Sequence, residues 1–224
     1  MCGRFSLTAE EQRLNEFFNL AGGKSPYVPR YNGAPTQNMA VITNQNPGQL
    51  QFFRWGLIPF WSKELPRSMP LINARAEGIE IKPAFRQVFK TKRCLVPADG
   101  FYEWVRQVKK IPMRFTLFDD SLFAMAGLWD TWQNEKGQTL NSFTIITTEP
   151  NELMAPIHNR MPVILDKNGS EAWLKTTDEN SLKNLLKPYP SEKMKAYRVS
   201  EKVNAVKNEG PDLILPVGEH DLFS

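Results

Sequence analysis

The chain has 224 residues, of which 41% are hydrophobic and 23% are charged. This composition is typical of a globular protein and excludes the disordered and collagen-like classes. A folded chain of this length buries roughly 70% of the surface that its unfolded form exposes, so one domain needs no disulfide framework. The net charge of +4 permits an acidic partner but does not identify one.

The two cysteines, Cys2 and Cys94, and the lack of a long apolar stretch predict where the protein works. Only Met1 precedes Cys2, so we find no secretory signal and expect reduced thiols in the cytoplasm, near the nucleoid if the source is bacterial. The most apolar stretch, residues 121–129, is far shorter than the roughly 20 residues of a membrane span. We therefore expect no membrane partner.

Helix signals are few. The first predicted helix starts at a capping box formed by Thr8 and Glu11. Its apolar face is expected to comprise Leu14, Phe17, Phe18 and Ala21. Two further short helices are predicted near residues 84–89 and 178–186.

Strand signals outnumber helix signals, as β-branched and aromatic runs between turn residues. The predicted strands cover residues 39–43, 49–55, 94–96, 101–105, 113–118, 122–129, 142–148, 161–165 and 196–199. Hairpin-like spacing predicts two hairpins, 39–55 and 101–118. The pattern predicts an α+β fold: a single domain, residues 1–217, with a curved, mainly antiparallel, barrel-like sheet and a few short helices. The tail, residues 218–224, is predicted to be disordered.

Cys2 carries the sharpest chemical signal. Removal of Met1 would leave Cys2 with a free α-amine and a thiol on adjacent carbons, a 1,2-aminothiol. Reference pKa values of about 7.7 to 8.0 for the amine and about 8.5 for the thiol leave both partly nucleophilic at neutral pH. The amine can form an imine with an aldehyde, and the thiol can then close a five-membered thiazolidine. The alternative is a short hydrophobic residue in a loose N-terminus.

Histidine is scarce, because His220 falls in the predicted tail and only His158 remains for proton transfer. His158 lies in a polar loop between Pro156 and Pro162, just before a strand. This position suits a rigidly presented acid or base near neutral pH. A structural histidine bonded to the backbone is the alternative.

Glu103 belongs to an alternating strand. It either shares a face with Phe101 and Val105, which is costly for a carboxylate unless it is paired or functional, or faces water. Asn73 and Arg75 would share one face of an extended segment. The neighbouring aromatics Phe60 and Trp61 fit either a core or a platform for base stacking.

Seven segments, in order, resemble the SOS-response-associated peptidase (SRAP) family. They are residues 1–5 (MCGRF), 31–35 (YNGAP), 55–59 (WGLIP), 73–77 (NARAE), 94–104 (CLVPADGFYEW), 157–162 (IHNRMP) and 203–208 (VNAVKN). The resemblance implies a protein that binds single-stranded DNA and captures abasic sites covalently. Nothing in the sequence suggests more than a monomer. The aldehyde of the ring-opened site would join Cys2 as a thiazolidine, which shields the lesion during the DNA damage response.

The resemblance also implies roles for individual residues. Cys2 supplies amine and thiol, Asn73 holds the opened sugar, Glu103 orients or deprotonates the α-amine, and His158 moves protons at the sugar hydroxyl. The implied DNA contacts are phosphate binding by Arg4 and Arg75, a site lining of Asn32, Pro35 and Thr147, and base stacking or wedging by Trp61. Peptidase activity would be limited to removal of Met1.

Two other functions stay in competition with covalent capture. Cys2 could be the N-terminal nucleophile of a cysteine hydrolase, a peptidase or an amidohydrolase, or the chain could be a noncatalytic binder of single strands. The sequence has no zinc spacing, phosphate loop or dinucleotide fingerprint, so no metal or cofactor is expected.

Overall fold

The computed structural model describes residues 3–23, 25–65, 70–106 and 110–218. Cys2, His220 and nearly all of the predicted disordered tail lie outside the described residues. None of the helices in the described part is long and apolar enough to cross a membrane.

Thirteen strands are present in the described ranges. They are β1 (Phe5–Leu7), β2 (Arg30–Gly33), β3 (Asn38–Thr43), β4 (Asn46–Trp55), β5 (Asn73–Arg75), β6 (Arg93–Ala98), β7 (Gly100–Arg106), β8 (Lys110–Leu117), β9 (Phe123–Gln133), β10 (Thr139–Thr148), β11 (Met161–Pro162), β12 (Ile164–Leu165) and β13 (Met194–Arg198). The α-helices are α1 (Glu11–Phe18), α2 (Arg86–Thr91), α3 (Lys167–Lys175) and α4 (Glu179–Asn184), and three 3₁₀ turns cover Ser191–Lys193, Glu201–Asn204 and Pro211–Leu213.

The strands form two sheets. The smaller has the order β13-β8-β7-β1-β2, and the larger has the order β11-β10-β4-β3-β6-β9-β12, with β5 added beside β10. Nearly all neighbours are antiparallel, whereas β10 pairs in parallel with β4 and β5. The predicted α+β fold with a mainly antiparallel core is confirmed, as are both hairpins, β3–β4 and β7–β8.

Three details of the predicted elements are wrong. The apolar face of α1 is shorter than predicted, because Phe17 is exposed and Ala21 lies beyond the end of the helix at Phe18. Thr8 does not cap α1, because its hydroxyl and its backbone N–H both donate to the Asp99 carboxylate, and the helix starts at Glu11 without a side-chain cap. The predicted strand 161–165 is split at Val163: β11 pairs with β10, whereas β12 pairs with β9.

Helix α3 was not predicted at all. It begins with a segment of low helix propensity, Asn168-Gly169-Ser170. The Asp166 carboxylate compensates by accepting a hydrogen bond of 2.7 Å from the Gly169 N–H. Trp173 is then fully buried and its indole donates to the Cys94 carbonyl oxygen, so packing against the sheet stabilises the helix.

A large apolar cluster connects the smaller sheet to β5. Phe5 of β1 contacts Trp55 of β4, with ring centroids 5.1 Å apart. The indole N–H of Trp55 donates to the carbonyl oxygen of Ile72, the residue before β5, over 2.9 Å. Ile145 and Ile157 are buried in the same cluster. One core therefore supports the N-terminal strand, β5 and the loop that carries His158.

Candidate functional site

The N-terminal strand and β7 bring Glu103 close to the start of the chain. Phe5 pairs with Phe101 in antiparallel register, and the N–H of Tyr102 donates to the Arg4 carbonyl oxygen over 2.9 Å. Each step back along β1 is a step forward along β7, so Gly3 reaches the level of Glu103. Gly3 is the residue that follows Cys2.

Glu103 is buried, with 4% of its surface exposed. It lies on the same strand face as Phe101 and Val105, which contact the large apolar cluster, while Tyr102 packs on the other face with Val203. The alternative in which Glu103 faces water is therefore excluded. Burial of an ionised carboxylate is costly unless the group is paired or functional. The buried position of Glu103 therefore indicates a specific role.

Arg4 and Asn32 form a buried network under the N-terminal strand. The Arg4 guanidinium donates through Nη1 to Asn32 Oδ1 at 2.6 Å and to the Val203 carbonyl oxygen at 2.7 Å. Its guanidinium carbon lies 5.8 Å from the Trp104 ring centre. Burial lowers the pKa of Arg4 below its ordinary value. These contacts fix Arg4 two residues after Cys2.

Asn32 has no exposed surface, and its amide joins β2 to residues 203–208. Its Nδ2 donates to the carbonyl oxygens of Val203, Ala205 and Asn208 at 2.9 to 3.3 Å. Trp104 adds a hydrogen bond from its indole to Asn204 Oδ1 at 2.6 Å. Asn32 therefore holds the segment 203–208 against the N-terminal strand. Pro35, two residues after β2, is half-buried.

Strand β5 carries Asn73 and Arg75 along β10. The parallel register sets Asn73 beside Ile145 and Arg75 beside Thr147. Asn73 is half-buried and Arg75 is exposed. Thr147 is fully buried, and its carbonyl oxygen accepts from the Ala76 N–H at 2.8 Å. The extended segment predicted to carry Asn73 and Arg75 is thus the short strand β5.

The loop that carries His158 is held next to β5 by Arg160. The Arg160 guanidinium makes a two-pronged contact with the Glu77 carboxylate, at 2.7 and 2.9 Å, and also donates to the Thr147 carbonyl oxygen at 2.5 Å. These hydrogen bonds lower the pKa of Glu77 below its ordinary value. Because Glu77 follows β5 by two residues, the pair links the Asn73 segment to the His158 loop.

Arg160 also orients the imidazole through its backbone. Its N–H donates to His158 Nδ1 at 3.0 Å, and its carbonyl oxygen lies 3.2 Å from the same nitrogen. Neither Arg160 nor Glu77 is among the site residues predicted from the sequence. The signal was available, since the two residues carry opposite charges and each lies within a few positions of a candidate catalytic residue.

Trp61 lies on the surface, with 56% of the side chain exposed, beside an equally prominent Phe60. This exposure excludes a core position for either ring. Within the described ranges, no three His, Cys, Asp or Glu side chains lie together in a way that could hold a metal ion.

Comparison with known proteins shows the family. The family model described as SOS response associated peptidase (SRAP) matches residues 1–206. The chain belongs to the SRAP family. A relative in Bacillus subtilis, named abasic site processing protein YoqW, is 48% identical over 96% of this chain and 99% of its own length.

Similar proteins occur in vertebrates and among proteins of known structure. The abasic site processing protein HMCES of Xenopus tropicalis is 35% identical over 97% of this chain and 78% of its own length. A crystal structure of a protein from Bacteroides thetaiotaomicron superposes with a TM-score of 0.88 at 30% sequence identity. The superposition covers 96% of this chain and 100% of the Bacteroides chain. The SRAP membership expected from the seven segments is thereby confirmed.

Proposed function

We propose that this protein processes abasic sites in DNA: it binds the single strand and captures the ring-opened aldehyde on Cys2. The observation that carries the proposal is the antiparallel register of β1 and β7, which pairs Phe5 with Phe101; continued to Gly3, the residue after Cys2, it leads to the buried Glu103. Relatives whose alignments cover nearly the whole chain are named abasic site processing proteins, which supports the same substrate for this protein.

The chemistry follows from the aminothiol. After removal of Met1, the α-amine of Cys2 adds to the aldehyde carbon, and loss of one water gives an imine. The thiol sulfur then bonds to the same carbon and gives up its proton, which the nitrogen takes up as the thiazolidine closes. The second step is intramolecular and gains from a high effective concentration. One water is the only product besides the crosslink.

Three described residues have chemical roles in this proposal. The Glu103 carboxylate takes the proton from the α-amine, so that the nucleophilic form is present at neutral pH. His158 moves protons at the sugar hydroxyl during imine formation and ring closure. The Asn73 amide holds a hydroxyl of the opened sugar. The buried Glu103 and the loop of His158 rest on the same apolar cluster, which fixes their separation.

Positioning and binding are divided among the remaining candidates. Arg75 is exposed and provides a cation for a DNA phosphate. Trp61 provides a surface on which a base stacks. Because Arg4 and Asn32 are buried, we assign them to fixing the N-terminal strand, and Pro35 and Thr147 to lining the site. In this proposal the protein acts in the cytoplasm and is a monomer.

A denaturing gel tests the proposal. Protein with its native N-terminus, incubated with a single-stranded oligonucleotide that contains one abasic site, is expected to give a slower band that survives heat and detergent. A residue left before Cys2 should abolish the stable band, because amine and thiol must belong to one residue. Cys2→Ser should give an adduct that survives only after borohydride reduction.

The same gel separates the competing functions. A noncatalytic binder leaves no band with the native N-terminus, and equal crosslinking by tagged protein contradicts the thiazolidine. A cysteine hydrolase would cleave a peptide or release ammonia from glutamine without DNA, and we expect neither activity.

A further inference from the structure

The exposed aromatics Phe60 and Trp61 stand on a turn that buried groups hold in place. The turn, residues 59–62, is closed by a hydrogen bond of 2.9 Å from the Ser62 N–H to the Pro59 carbonyl oxygen. Phe60 is 58% exposed and Trp61 is 56% exposed. Two adjacent large apolar side chains at the surface are informative only if the protein maintains them there.

Three side chains of two neighbouring strands fix the backbone of this aromatic turn. Ser142 Oγ accepts from the Ile58 N–H at 2.8 Å, and Asp130 Oδ2 accepts from the Phe60 N–H at 2.8 Å. The Trp132 indole donates to the Ser62 carbonyl oxygen at 2.7 Å. All three supporting side chains belong to buried residues. The turn is therefore anchored before, within and after its aromatic pair.

Asp130 is itself held firmly. Its Oδ1 accepts from Lys92 Nζ at 2.7 Å and from the Thr131 N–H at 2.9 Å, and the residue is 1% exposed. In register, Asp130 of β9 lies directly across from Ser142 of β10, so two of the anchors form one cross-strand pair. A buried carboxylate is retained at a cost, which is consistent with a specific task.

We propose that Asp130, Trp132 and Ser142 are positioning residues that hold the aromatic turn rigid. Trp61 then stacks on a DNA base beside the lesion with little loss of conformational entropy in the turn. This inference rests on the proposed function. A loop that is already ordered before binding loses less conformational entropy when the base arrives, which increases affinity. The anchors contact no DNA and act only through the turn.

The chain offers a matched pair of substitutions. Trp132→Phe removes the indole N–H that donates to Ser62 and keeps an aromatic ring in place. Trp129→Phe makes the same change on the same strand, at a residue equally buried, but its indole donates to Asn44 Oδ1 at 3.3 Å. Any general cost of losing an indole from β9 is common to both variants.

The measurement is reversible binding to a single-stranded oligonucleotide with a tetrahydrofuran abasic analogue, which has no aldehyde, beside a 2-aminopurine base. Base–aromatic stacking is worth about 5- to 150-fold in affinity, so Trp61→Ala is expected to weaken binding by that factor. Trp132→Phe should weaken binding about 3- to 10-fold and reduce the quenching of 2-aminopurine, whereas Trp129→Phe should stay within about twofold of the wild type.

A double variant decides whether Trp132 acts through Trp61. In a Trp61→Ala background, Trp132→Phe should weaken binding by less than about twofold, because the stacking surface is already gone. An equal effect in both backgrounds overturns the inference. Ser142→Ala, which removes the acceptor for Ile58, is the second variant if Trp132→Phe does not fold, and it should show the same dependence on Trp61.

The failure of this inference is distinguishable from failure of the proposed function. If wild-type protein neither binds the analogue nor crosslinks an aldehydic abasic strand, the proposed function is wrong. If wild-type protein does both, while Trp132→Phe and Trp129→Phe bind equally well, only the positioning role is wrong.

Discussion

The backbone N–H of Arg160 donates a hydrogen bond to His158 Nδ1, and the carbonyl oxygen of the same residue lies within reach of that nitrogen, at 3.0 and 3.2 Å. A neutral imidazole that accepts at Nδ1 carries its proton on Nε2, while an imidazole protonated at Nδ1 can donate to the carbonyl oxygen instead. A ring that gives and takes a proton at Nε2 keeps Nδ1 protonated in both states, so the Arg160 carbonyl oxygen is the contact that suits proton transfer, whereas the Arg160 N–H suits the other neutral tautomer.

His158→Ala should slow crosslinking by at least tenfold and leave single-strand affinity nearly unchanged. General acid–base catalysis contributes roughly 10² to 10⁴ in rate but little to ground-state binding. The check is a time course of crosslink formation together with a binding isotherm for a tetrahydrofuran analogue. His220→Ala, the other histidine, is the matched control and should crosslink at the native rate.

Glu103→Gln should slow the same reaction on the amine side, because the amide cannot take up a proton. In the double variant the loss should be smaller than the product of the single losses if both residues serve one step. A His158→Ala protein that crosslinks at the native rate across pH 6 to 8 would return His158 to a structural role.

Arg75→Ala tests a phosphate contact. Loss of one contact should weaken binding to intact and abasic single strands alike, and should lower the slope of log affinity against log salt by about one unit. Binding isotherms at several salt concentrations measure the slope. Arg86, an exposed arginine on α2, supplies the control Arg86→Ala. An unchanged slope for Arg75→Ala contradicts the contact.

Asn32→Ala tests a positioning role. The substitution leaves the Arg4 guanidinium and the carbonyl oxygens of Val203, Ala205 and Asn208 without the Asn32 amide, at a cost of about 2–4 kcal/mol in unfolding free energy. Urea denaturation measures this loss. Crosslinking should slow because the N-terminal strand is no longer fixed. If Asn32 instead contacts DNA, stability stays near native and only affinity falls.

Structural features that depend on neighbouring residues can be predicted from the sequence, whereas features that depend on distant residues cannot. Local patterns were sufficient for the β3–β4 hairpin and for α4, where Asp178 caps the helix by accepting from the Ser181 N–H. Thr8 was misassigned because its partner, Asp99, lies far along the chain. A capping box is a local pattern, and a distant carboxylate overrides it.

Motif resemblance predicts the residues of the candidate site better than periodicity does. Alternation left Glu103 with two orientations, and the choice depended on β7 being covered on both faces, by the apolar cluster on one side and by Val203 on the other. Likewise, the resemblance implies that Asn32 lines the DNA site, but it does not predict that Asn32 is buried. Its burial follows from the segment 203–208 folding back over β2, which no local pattern predicts.

Glu77→Gln tests the clamp between β5 and the His158 loop. Arg160 lowers the pKa of Glu77, so the ionised carboxylate stabilises the fold above its ordinary pKa of about 4.5, and the stabilisation is lost as the pH falls through the lowered value. Because Glu77 is mostly exposed, the effect should be below about 1 kcal/mol. The difference in Tm between wild type and Glu77→Gln should therefore be present at pH 7 and vanish toward pH 3.

The control for this clamp is the same substitution in an Arg160→Ala background. There, Glu77→Gln should leave Tm unchanged at every pH, because the partner cation is missing. A pH-dependent difference that persists without Arg160 assigns the shift to another group.

The Cys94 thiol should be inert in the folded protein, which leaves Cys2 as the source of thiol chemistry. Cys94 has no exposed surface, and burial raises the pKa of its thiol well above the ordinary value. The thiolate is the reactive form, so both access and ionisation are denied at neutral pH. Folded Cys2→Ser protein should therefore give no reaction with a disulfide reagent such as dithionitrobenzoate, and one equivalent after denaturation. Folded wild-type protein should give one equivalent, and a second fast equivalent would mean that Cys94 is accessible and that crosslinking by its thiol must be tested with Cys94→Ser.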